Sequence, residues 1–317
     1  MNHTSMNFTS FTQIILQKLQ KMLGENYTVF SHTVRKNNGV ELTGIVAKRI
    51  GHCASPTIYI DRFYKENLSG EEIQKIVTSL YDEFQAAEFE DEIDLSDFTE
   101  FDKAKEKLAF KLIHAEKNKE LLKTVPHKRF YNLAVVFYYT VKEAPFFGQA
   151  VILVHNSHME KWKTNENELF KIAMDNTPKL FPSKIDSMEN VMKEIIAETL
   201  KADKTNADLP DDEVLSNFLE ETLPMYVLTN KQKLYGAACM LYPGVLKEFA
   251  EKKGQDFYVL PSSVHEVILV PANAASDSET LQNIVTDINR TQVAEDEVLA
   301  DSVYYYIRSR DKVVLLS

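Results

Sequence analysis

Glycine is scarce in this chain: nine in 317 residues, where an average sequence carries about 7%. None of the nine falls in a G-x-G-x-x-G or G-x-x-x-x-G-K spacing. Phosphate loops need glycines so that backbone amides can close on the phosphates. The sequence therefore argues against a P-loop nucleotidase or a dinucleotide enzyme, and no cofactor is expected. Cysteine is scarcer still. Cys53 and Cys239 stand far apart in apolar company and form neither a Cys-x-x-Cys knuckle nor a disulfide framework. Buried, reduced thiols of a cytoplasmic protein are the expectation. H-E-x-x-H and G-x-S-x-G are both missing, which removes the common zinc-protease and serine-hydrolase signatures. No apolar run approaches the ~20 residues of a membrane helix. The opening MNHTSMNFTSFTQ lacks the basic-then-apolar order of a secretory leader. Cations are also outnumbered, 36 against 47 acids for a formal charge of −11. That balance points away from direct nucleic-acid binding, so a protein or a small ligand is the expected partner.

What is present is a dense set of short apolar runs. Residues 225–272 read strand, turn, strand, helix, strand, turn, strand, through MYVL, AACMLY, FYVL and VILV. Each run is closed by Asn, Gly, Pro or Ser, as buried strands are. Upstream, Phe8, Phe11, Ile15, Leu19 and Met22 make one helical stripe ending at Gly24. Strands are expected at 27–34, 40–48 and 55–60, the first two joined by a turn at Asn37-Asn38-Gly39. Ser69 and Glu72 form a capping box ahead of a helix to about 84, and Ser276 with Glu279 forms a second ahead of 276–289.

The spacing also predicts a long helix over 98–122, strands at 133–140 and 150–154, and helices at 166–176 and 188–201. On the long helix Lys103, Lys105, Lys107 and Lys111 would make a solvated face. A last strand is expected at 302–308, where Tyr304 and Tyr306 share a face. Two acidic stretches stand out: 88–102 with eight acids and no base, and 203–223 with seven acids against one lysine. Neither holds a calcium-loop spacing, so no metal site is expected. Irregular alternation of strands and helices with hairpins gives an α+β class with mixed or antiparallel sheets flanked by helices. Two packed lobes are expected, 1–127 and 128–317, with an acidic linker-like segment at 201–223.

One polar cluster carries the residue types of acyl-transfer chemistry: Ser262, Ser263, His265 and Glu266 in the turn between the last two apolar runs. A serine nucleophile needs a base in hydrogen-bond reach and a carboxylate to orient it. The competing reading is a turn whose hydroxyls satisfy backbone groups, with His265 facing sideways and Glu266 facing solvent. His155, Asn156 and His158 form a second polar candidate after a strand. Two histidines at that spacing can share a metal, although a site needs a third ligand that the sequence does not supply.

The strings NNGVELTGI (37–45), SPTIYIDRFY (55–64), AVVFYY (134–139), HNSHMEKW (155–162), NTPKLFP (176–182), MYVLTN (225–230), YGAACMLYPGVLKEFA (235–250) and FYVLPSSVHEVILVPA (257–272) together resemble the bacterial domain-of-unknown-function family 5688. The second half is also distantly similar to domain-of-unknown-function family 1444. The resemblance implies a bacterial, cytosolic protein and carries no catalytic residue with it. The favoured function is a non-catalytic binding or regulatory module. The alternatives are a hydrolase built on Ser263, His265 and Glu266, joined by His155 or His158, and an acidic mimic of nucleic acid that blocks a DNA-binding partner.

Overall fold

The computed structural model describes residues 6–51, 55–86, 95–141, 150–202, 224–274 and 277–316. Cys53, Ser276 and most of the two acidic stretches lie outside them. The chain divides into two compact units, residues 1–97 with 141–150, and residues 98–140 with 151–317. The 127/128 boundary expected from sequence falls inside the second.

In the first unit, helix α1 (Phe8–Leu23) opens at Asn7, whose side chain accepts from Ser10 N–H, and ends at Gly24 with φ 78°. Strands β1 (Tyr27–Arg35), β2 (Glu41–Arg49) and β3 (Thr57–Tyr59) follow in antiparallel order. The β1–β2 turn uses Asn38 and Gly39 at φ 59° and 75°, the left-handed region that Asn and Gly tolerate best. Helix α2 (Gly70–Ala86) starts at the expected capping box, with Glu72 bonded to Ser69 N–H and Ser69 Oγ accepting from Glu72 N–H. Ile15, Leu19, Ile45, Ile58, Val77 and Leu80 close the core between the helices and the sheet. Each such side chain contributes about 1.5–3 kcal/mol by leaving water.

The second unit holds two sheets, and every strand pair in them is antiparallel. One has β4 (Leu108–His114), β6 (Leu133–Thr140) and β5 (His127–Phe130) in that order, with β7 (Val151–Leu153) also on β6. The predicted helix over 98–122 is thus wrong. It breaks into a one-turn helix Phe101–Ala104, the strand β4, and a one-turn helix Lys119–Leu122. Leu108, Ala109, Phe110, Leu112 and Ile113 are all buried; a run buried on both faces has no period to separate strand from helix. Lys111 accordingly projects from a strand, not from a solvated helix face.

Helix α3 (Asn156–Trp162) leads into α4 (Glu166–Leu180), which runs four residues past the expected end and through Pro178. Its Thr177 hydroxyl donates to Ala173 O and accepts Phe110 N–H, while Asn176 Nδ2 donates to the carbonyls of Lys105 and Leu108. The Asn-Thr-Pro string is therefore the pin between α4 and the start of β4.

The other sheet is six-stranded. Its strands are β8 (Ser183–Ser187), β9 (Tyr226–Asn230), β10 (Phe257–Leu260), β11 (Val267–Pro271), β12 (Tyr304–Ile307) and β13 (Lys312–Leu315), in spatial order β13-β12-β10-β11-β9-β8. Helices α5 (Met188–Ala202), α6 (Val245–Lys253) and α7 (Ser278–Thr291) connect them. The cap of α7 is Asp277, whose carboxylate accepts Thr280 N–H, one residue after the expected Ser276. The run AACMLY, read as a strand, is a 3-10 helix at Gly236–Leu241.

Candidate functional site

The Ser262–Glu266 turn joins β10 to β11 and lies against the loop that leaves β9. That loop is bent by Asn230, which is almost wholly buried. Its Oδ1 accepts from Gln232 and Leu234 N–H and its Nδ2 donates to Leu234 O at 2.6 Å. Lys233 and Tyr235 both take the left-handed conformation, at φ 54° and 51°, which is uncommon outside glycine and asparagine. Gly236 follows. A Cβ there would collide with Thr229 Oγ1, His265 O and Asn230 N, so the chain can pass only without a side chain. The loop is thereby pressed against His265.

The turn is tied on its other side to residues 297–300. Val264 N–H donates to Glu297 O, Leu299 N–H to Ser262 O and Ala300 N–H to Pro261 O, each at 2.8–2.9 Å. Thr229 Oγ1 donates to His265 O at 2.7 Å. Ser263 is buried, and its Oγ accepts His265 N–H at 3.0 Å. The His265 imidazole stacks on the Tyr235 ring, with centroids 5.7 Å apart, and its Nδ1 accepts Tyr235 N–H at 3.3 Å. Its Nε2 faces Glu297 Oε1 at 3.7 Å. Tyr235 is held further by Lys111, whose Nζ sits 4.1 Å from the ring centroid, and by an edge contact with buried Tyr138.

Glu266 does not face solvent as expected; it is half-buried. Burial raises its carboxyl above the usual carboxylate range, the His265 imidazole and a hydrogen bond from Ser263 pull it down, and Glu297 pushes it up. Behind the loop, burial also drives the Cys239 thiol up to about 12, and that thiol donates to Thr229 O.

The structure thus brings Ser263, His265 and Glu266 together and adds Glu297, Tyr235 and Lys111, which the sequence reading missed. Residue spacing carries no trace of Glu297, since it arrives from beyond α7. His155, Asn156 and His158 have no hydrogen bond, ion pair or ring contact with this group. They cap α3, where His158 Nδ1 accepts His155 N–H and Asn156 Nδ2 donates to Lys123 O. The His158 ring packs on Phe98 and Trp162, and burial, then His155 and Lys161, lower its pKa. Among the described residues no three His, Cys, Asp or Glu side chains gather as a metal site.

Ser263 thus accepts His265 N–H and bonds to the Glu266 carboxyl, while His265 Nδ1 accepts Tyr235 N–H. Among the described residues no helix is long and apolar enough to cross a membrane. The family model described as "Family of unknown function (DUF5688)" matches residues 8–308. No curated protein and no solved structure matches the chain.

Proposed function

The chain belongs to the DUF5688 family, and we propose that it is a non-catalytic binding or regulatory module of the bacterial cytoplasm. One observation carries this reading: the hydroxyl of Ser263 and the Nδ1 of His265 both serve to close backbone loops. Polar groups engaged with backbone amides in this way support a turn-stabilising role. A hydrolase keeps one observation in its favour, the Glu297 carboxylate beside His265 Nε2, which could orient an imidazole.

A fluorophosphonate probe separates the two, because it forms an adduct only on an activated serine. The native chain is expected to show no adduct at Ser263, and tagged chain is expected to capture a stoichiometric partner that Ser263→Ala retains. An adduct at Ser263 that disappears in His265→Ala would overturn the proposal.

A further inference from the structure

Three imidazoles of the second unit accept a backbone N–H through Nδ1: His114 from Lys117, His158 from His155 and His265 from Tyr235, at 3.1–3.3 Å. An imidazole that accepts at Nδ1 is neutral and carries its hydrogen on Nε2. A second proton turns both nitrogens into donors, and the accepted bond is lost. At His265 the Glu297 carboxylate stands 3.7 Å from Nε2, and at His114 Asp301 and Glu116 favour the charged ring. His158 has no such compensation. The charged groups that act on it are His155 and Lys161, both bases, and among the described residues no carboxylate joins them. Burial first, and then these two bases, weaken its hold on a proton.

The same ring also closes a socket. It meets Phe98 nearly at right angles, with centroids 5.0 Å apart, and packs on Trp162 at 6.0 Å. Phe98 is the first residue of the second unit and lies in a one-turn helix, Ser96–Thr99. Its ring is held by edge contacts with two further aromatic walls, buried Tyr139 of β6 at 5.1 Å and buried Trp162 at 5.2 Å. Its carbonyl accepts from Trp162 Nε1 at 3.0 Å. Histidine is the residue type among these whose charge changes between about pH 5 and 8. The bond to His155 N–H and the contact with Phe98 fix one and the same ring plane. A ring that turns away from the amide therefore leaves the socket too.

We propose that His158 is a proton-sensitive latch: its neutral ring closes the socket on Phe98, and a second proton on the imidazole turns the ring out and releases Phe98 from α3. In the unfolded chain the imidazole takes its proton near pH 6.5, and in the folded unit only at lower pH. The contribution of the latch is therefore complete above pH 6.5 and is lost as pH falls below it. The device lies in α3 and goes beyond the reading of the Ser263 turn, on which it does not depend.

Trp162 is the single tryptophan of the chain, so its emission reads the socket directly. Emission of the full chain is followed from about pH 8 to about pH 5, the range of histidine, with far-UV circular dichroism alongside. The native chain should show a reversible red shift below pH 6.5 while its ellipticity holds, as water reaches the indole. Asparagine carries an acceptor close to the place of Nδ1 and does not titrate, so His158→Asn should keep its emission flat. Phe98→Ala empties the socket and should give the acid-like emission throughout the range. If His158→Asn fails to fold, NMR of the native chain carries the same test. The ring protons of His158 and the amide of His155 should then shift with one midpoint, that of the emission.

Flat emission in the native chain, or a red shift that His158→Asn retains, would overturn the proposal. So would a ring midpoint that differs from that of the emission. Ellipticity lost together with the shift would assign the event to general unfolding and overturn it as well. Labelling at Ser263 is a separate matter and leaves the latch untouched.

Discussion

Replacing Gly236 with alanine tests the geometry around His265 through the sign of its effect. At an uncrowded position whose backbone suits alanine, this change stabilises by about 0.4–1 kcal/mol, because the unfolded chain loses freedom. The φ of Gly236 lies outside the left-handed region, so no backbone strain opposes the substitution. Crowding does. The new Cβ would meet the His265 carbonyl, the Asn230 nitrogen and the Thr229 hydroxyl at distances real Cβ atoms do not show. Two of these three atoms are backbone and cannot swing aside. Thr229 could rotate only by giving up its bond to His265 O. Overpacking of this kind costs about 1–3 kcal/mol. At roughly 2–4 °C per kcal/mol for a unit of this size, Tm should fall by about 2–12 °C.

Calorimetry gives the shift, and urea unfolding gives the free energy. Exchange at the Tyr235 amide should accelerate in the variant, because the displaced loop loses its bond to His265 Nδ1. Adding Thr229→Ala to Gly236→Ala should recover only part of the loss, since the backbone collisions remain. An alanine variant as stable as the parent, or more stable, would refute the close approach of this loop to His265.

Three further outcomes follow from the same unit. Burial holds the folded Glu266 carboxyl above 4.5, so the folded state binds that proton more tightly than the unfolded state and stability falls as pH rises through the window. Glu266→Gln should therefore raise the urea midpoint at neutral pH and lose its advantage below pH 4.5; an advantage that persists in acid would refute the assignment. Cys239, buried and with its thiol raised to about 12, should resist iodoacetamide in the native state and react on unfolding; fast native labelling would contradict its placement. Thr177→Val leaves the buried Phe110 N–H without an acceptor, which costs about 1–3 kcal/mol; an unchanged urea midpoint would show that the pin between α4 and β4 contributes nothing.

The elements legible in the sequence are those whose signals are local. α1 shows its stripe and its Gly24 stop, the β1–β2 turn its Asn-Asn-Gly, and α2 its Ser69–Glu72 box. The elements misread are those decided by a partner. Leu108–His114 is a strand because Leu133–Thr140 pairs with it, and nothing within the segment marks that choice once both faces are apolar. Gly236–Leu241 looks like a strand by composition, yet its small residues Ala237 and Ala238 lie fully buried in a tight 3-10 turn. The short strands β5 and β8 escaped because polar residues such as Lys128 and Lys184 interrupt them.

The polar turn was visible as a cluster but not as an arrangement. A hydroxyl, an imidazole and a carboxyl close a loop with the same atoms that they use in acyl transfer, so residue types alone cannot separate the two uses. The atoms that separate them come from elsewhere in the chain. Tyr235 N–H, aimed by a left-handed residue beside a glycine that admits no side chain, takes the Nδ1 of His265. The backbone of Glu297 to Ala300 holds the turn in place and delivers a carboxylate 3.7 Å from His265 Nε2. Ser263 accepts the backbone amide of His265 and bonds to the Glu266 carboxyl. The packing that crowds Gly236 is therefore also the packing that brings Tyr235 N–H to the Nδ1 of His265.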